Sequence, residues 1–221
     1  MDTLPNLIGN FKETLRLYRE TLEKEDVHPL KPQFIHTFEQ LFEEAASLLR
    51  HDAIFSQYGL IRGFCETVVM VECLLDHEKD GSFEYYQAYI NQVDAYFESL
   101  KQGENHAEND RPHQYDWFNA MKRGGFTTSK VSLKTLSNAA NQPLLEVFHI
   151  LNVKIHNAEF FTNKLKDDAF RAMEERELKS ALMMIVDHLL RILSRHLKDA
   201  STKPLLDMLV AKRNRMKTTL E

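Results

Sequence analysis

The 221-residue sequence predicts an all-α fold: a single-domain helical bundle of eight or nine helices around a central apolar helix at about residues 52–77. Three observations predict it. Apolar residues recur at spacings near 3.6 along most of the chain. Glycine occurs 7 times, where average usage gives roughly 15; that scarcity disfavours sandwiches, barrels and propellers, which turn every few residues. No segment shows the sustained period-two alternation of a half-buried strand. Hydrophobic residues make up 43% and aromatics 10%, which supplies a core and excludes wholesale disorder.

The elements follow in order. From Asn6 to about Lys24, Leu7, Ile8, Phe11, Leu15 and Leu22 mark one face of a helix. His28-Pro29-Leu30-Lys31-Pro32 breaks it, because each proline disfavours helix in the residue before it. A second amphipathic helix carries Phe34, Ile35, Phe38, Leu41, Phe42, Ala45, Leu48 and Leu49 inward, with Glu39, Glu43 and Glu44 outward. The third segment, about 52–77, is apolar on nearly all sides, the mark of a helix that others pack against. Asp80-Gly81-Ser82 makes a turn, and an aromatic helix runs from Phe83 to about Leu100. The N-terminal helices thus span 4–100, a polar connection 101–112, and C-terminal helices 113–219. In that last part His113–Arg123 reads as a short helix ended by Gly124-Gly125, Ser132–Asn141 as another, and Pro143 as the first-turn residue of the next. Leu144 to Lys203 contains no glycine or proline; as one rod it would be about 90 Å long, so the pattern predicts a break near 162–168. A long helix at about 173–198 and a last one, started by Ser201-Thr202-Lys203-Pro204 and running to about Thr219, complete the reading.

The net charge of −5 is not the footprint of a general nucleic-acid binder. Cys65 and Cys73 lie eight apart on one helix, about 12 Å along its axis, too far to bridge; they read as reduced core thiols. The N-terminus shows no signal-peptide pattern, and the longest apolar run, Val68–Val71, is far short of a membrane span. The chain therefore reads as soluble and cytoplasmic.

Two constellations suggest chemistry. Arg62 and Glu66 are i and i+4 on the apolar helix, sharing a face with Gly59, Gly63, Met70 and Cys73. Buried charges must pair or face a cleft, so the pair is either an internal salt bridge or the wall of a polar site. On the Pro143 helix, His149, Asn152 and His156 share one stripe, opposite Leu144, Val147, Phe148, Leu151 and Ile155. Packing the two polar faces together satisfies both, which predicts that Arg62, Glu66 and His156 converge as a ligand-binding cluster with His149 and Asn152. As metal ligands His149 and His156 are about 10.5 Å apart along the axis, beyond the reach of one ion, and the expectation is no metal and no cofactor. Nucleophile-elbow, P-loop and CxxC patterns do not occur. The basic tail Lys212-Arg213-Asn214-Arg215-Met216-Lys217 reads as a solvated last turn or as a phosphate or RNA contact.

The segment Leu60-Ile-Arg62-Gly-Phe-Cys-Glu66, the pair Tyr115-x-Trp117, the stretch Ser132-Leu-Lys-Thr-Leu136 and the ending Asn152-Val-Lys-Ile-His156 resemble a family of all-helical bacterial proteins, a domain of unknown function with R-x-x-x-E and S-x-x-x-H motifs. Asn152 stands where that family usually has serine. The outline is also similar to HEPN-type bundles, many of which are metal-independent ribonucleases. That resemblance implies an arginine on the phosphate and a histidine as acid and base, and Arg191 and His196 have the spacing, with Ile192 where a polar residue is usual. The expected function is a protein- or small-ligand-binding module, the alternative a HEPN-like RNase with RNA as partner. Rings on several faces of the helix at 83–97 (Phe83, Tyr85, Tyr86, Tyr89, Tyr96, Phe97) predict a homodimer.

Overall fold

The computed structural model describes residues 3–51, 53–103, 111–122 and 132–220. Among them the chain forms α-helices joined by short turns and no strand, as the periodicity predicts. The described residues hold ten α-helices and two single 3₁₀ turns rather than eight or nine helices. The surplus arises between Leu144 and His196, a stretch that breaks twice instead of once. Asn157 ends one helix, and Asp167 caps the next by accepting the Phe170 N–H at 2.8 Å. Gly124 and Gly125, and most of the polar connection, lie outside the described residues.

The helices gather into two compact units. The first joins Met1–Val69 to Asn138–Glu221, and so contains α1 (Leu4–Leu22), α2 (Leu30–Arg50), most of α3 (Ile54–Asp76), α7 (Gln142–His156), α8 (Ala158–Lys164), α9 (Asp168–His196) and α10 (Lys203–Leu220). Within it α1 packs on α2 and α10, and α9 on α10 and α7. Helix α2 starts four residues earlier than the aromatic pattern suggests, because Pro32 falls in the first turn, where no N–H is needed. Glu39, expected to face outward, is buried and accepts from the Arg19 Nε of α1 at 2.8 Å. Helix α3 behaves as its composition predicts: Ile61, Phe64, Val68 and Val69 are all buried. Phe64 packs edge-on against Phe42, ring centroids 4.8 Å apart.

The second unit, Met70–Ser137, holds the end of α3, α4 (Ser82–Lys101), α5 (Asp116–Met121) and α6 (Leu133–Leu136). Here Val71 to Leu75 are five consecutive buried residues, which a one-sided helix does not produce. The turn into α4 uses Gly81 at φ 81°, a left-handed conformation that favours glycine. The Ser82 hydroxyl donates to the Leu74 carbonyl at 2.5 Å, closing the turn. Of the α4 rings, Phe83 is buried, Tyr85, Tyr86, Tyr89 and Tyr96 are half-buried, and Phe97 is exposed. Among the described residues no helix is long and apolar enough to cross a membrane.

Candidate functional site

On α3 and α7 the structure gives Arg62 a partner that the sequence does not suggest. Arg62 does reach α7, but its guanidinium lies over the Phe148 ring, 4.7 Å from the centroid, within cation–π range. An aromatic face takes the place of the histidine. Arg62 and Glu66 are half-buried rather than buried. His149 and His156 are exposed and Asn152 is half-buried, so the polar stripe of α7 faces outward while Leu144, Leu145 and Leu151 face in. No hydrogen bond or ion pair joins His156 to Arg62 or Glu66 among the described residues. The physical reason is ordinary amphipathicity: α7 hides its apolar face, and Phe148 at the edge of that face meets the cation first.

The buried charge of α7 is instead Lys154, which sequence reading passed over. It lies at i+3 from Leu151 and i+7 from Val147, on the apolar stripe itself. Its Nζ donates to Glu174 Oε2 at 2.5 Å and to Glu177 Oε2 at 3.0 Å, both on α9. Tyr58 of α3 donates its hydroxyl to the same Glu174 oxygen at 2.8 Å. Glu174 is buried beside the fully buried Tyr58. Loss of solvent, then the hydrogen bond to Glu174, holds the Tyr58 phenol well above its ordinary range. One carboxylate oxygen thus ties α3, α7 and α9 together.

A cleft of about 620 Å³ opens between α9 and α10. Ala172, Glu175, Arg176, Lys179, Met183 and Asp187 recur at i, i+3, i+4, i+7, i+11 and i+15 of α9, so one face of a helix forms its first wall. Arg213 and Lys217, one turn apart, supply the second wall from α10. Arg213 makes a two-pronged contact with Asp187, Nε to Oδ1 at 2.5 Å and Nη2 to Oδ2 at 2.7 Å, which raises its already high pKa and fixes the fork in place. Lys179 lies 3.9 Å from Glu175, a long contact. The lining carries four cations, Arg176, Lys179, Arg213 and Lys217, against two carboxylates, Glu175 and Asp187. The other basic residue at the start of the tail turns away: Lys212 donates to the Asn10 carbonyl at 2.6 Å and to Thr14 Oγ1, and loss of solvent, with Arg215 nearby, lowers its pKa. The tail therefore divides its cations between packing and the cleft, and only part of it is a solvated last turn.

Arg191 and His196, the pair read as a nuclease dyad, are both half-buried. Arg191 donates to the Ala140 carbonyl at 2.9 Å, an oxygen that His188 Nε2 also contacts at 2.9 Å. Neither lines the α9–α10 cleft. Among the described residues no three His, Cys, Asp or Glu side chains gather into a group able to hold a metal ion. Comparison with protein-family models, with curated proteins and with solved structures finds no match to this chain.

Proposed function

We propose that the chain is a ligand-binding module whose site is the α9–α10 cleft and whose ligand is a small molecule bearing phosphate. The observation that carries this reading is the charge of the cleft: four cations against two carboxylates on a chain whose net charge is −5. A concave wall with an excess of positive charge attracts and concentrates anions. Guanidinium groups match phosphate oxygens in geometry as well as charge. The volume lies within the roughly 300–1,000 Å³ of small-molecule sites. Arg62, Glu66, His149, Asn152 and His156 have no part in this reading. Self-association through α4 belongs to the same proposal, supported by Phe97 and Leu100 standing 48% and 42% exposed on that helix.

Calorimetric titration with inorganic pyrophosphate at low and high salt tests the site. Binding is expected to weaken with salt, and to weaken about tenfold or more in Arg176→Gln/Lys179→Gln, since a hydrogen bond to a charged group contributes about 1.5–3 kcal/mol. Unchanged binding in that variant refutes the proposal. Incubation with a single-stranded RNA in chelator tests the other reading: degradation that disappears in His196→Ala would replace binding with ribonuclease chemistry.

A further inference from the structure

A separate pocket of about 230 Å³ lies between α7 and α9. Its walls are mostly apolar: Val147, Ile150 and Leu151 come from α7, Leu178, Ala181 and Met184 from α9, with Ser180 as the neutral polar residue of the lining. Lys154 and Glu177 also line it and are its charged side chains. The Lys154 ammonium is already shared between Glu174 and Glu177, and its side chain is 9% exposed, that of Glu174 2%. The three groups together carry one negative charge in excess. Glu177 is the member that solvent reaches, with 54% of its side chain exposed. A pocket with apolar walls and one reachable, under-compensated carboxylate selects a ligand with an apolar body and a cationic head, because an anion would meet the excess charge and a neutral head would leave it uncompensated. The volume is below the range of drug-sized sites, which suits a short chain rather than a ring system.

We infer that the α7–α9 pocket binds a small aliphatic amine, its chain between the α7 and α9 side chains and its ammonium on the Glu177 carboxylate. The argument for this site does not rest on the phosphate reading: neither Arg176 nor Lys179 lines it, and the two linings have Ser180 in common.

The probe is n-hexylammonium, titrated at pH 7 and followed by calorimetry and by NMR shifts of the Ile150 and Met184 methyl groups, with hexanoate and 1-hexanol as comparisons. Saturable binding of the amine is expected, at least tenfold tighter than the alcohol and with no saturation by the acid. Glu177→Gln should weaken the amine about tenfold or more, the effect of losing a charged partner, and bring it level with the alcohol. Glu177→Lys should reverse the preference toward hexanoate. Both substitutions fall on a half-exposed side chain, and a circular-dichroism melt verifies the fold. Ala181→Phe, which fills the pocket, should abolish binding of the amine. No saturation by n-hexylammonium at millimolar concentration overturns the inference, as does equal affinity for the acid or an unchanged affinity in Glu177→Gln.

Discussion

Replacing Lys154 with methionine removes the cation from a carboxylate that has nowhere to go. Glu174 is buried, its remaining partner is the neutral hydroxyl of Tyr58 at 2.8 Å, and Lys154 itself is 9% exposed in its side chain. Solvent screening therefore takes little from the effect. Breaking a buried pair by removing one member costs about 3–5 kcal/mol. At about 2–4 °C per kcal/mol for a chain of this length, the melting temperature should fall by about 6–20 °C. Urea unfolding at pH 7 is the assay. Adding Glu174→Leu should return most of the loss, less about 1–3 kcal/mol for the Tyr58 hydroxyl left without an acceptor. A cost below about 1 kcal/mol refutes the reasoning.

Burial pushes the Cys65 and Cys73 thiols up to about 12, and the Tyr18 phenol likewise to about 12. A raised folded pKa stabilises fully below the unfolded value and is lost as pH climbs toward the folded one, so urea midpoints should be flat through neutral pH and fall from about pH 9 upward. The same shifts leave little thiolate at pH 8, and an aromatic disulfide reagent should modify the native chain no faster than it opens. For self-association, light scattering at tens of micromolar should give a dimer that Phe97→Asp converts to a monomer; a monomeric parent removes that part of the proposal.

The fold was legible where a signal is local. The all-round apolarity of α3, the turn at Asp80-Gly81-Ser82 and Pro143 at the head of α7 each depend on neighbours within a few residues. The two breaks flanking α8 were less so, since Asn157 and Asp167 end and start helices through side-chain and cap geometry that a polar residue elsewhere in a helix also offers. The site was least legible. Arg62 reads in the sequence as a charge that needs company, but sequence patterning looks for a polar partner, and in the structure its guanidinium lies over the face of Phe148. Lys154 had a visible mark, a lysine in register with Val147 and Leu151. Its partners lie 20 and 23 residues away on α9, and no periodicity relates two helices before they pack. The α9–α10 cleft has the same character: Arg176 and Lys179 look like solvated helix charges until α10 brings Arg213 and Lys217 opposite them.

Ser180 lines both the α9–α10 cleft and the α7–α9 pocket. It is an exposed residue of α9 common to both linings. Thermodynamics then imposes a symmetry on them. Whatever factor an amine in the pocket applies to the affinity of the cleft for phosphate, phosphate must apply to the affinity of the pocket for the amine. Titrating either ligand in the presence of the other closes a cycle whose two halves must agree, and Ser180 is the residue at which their coupling would be felt.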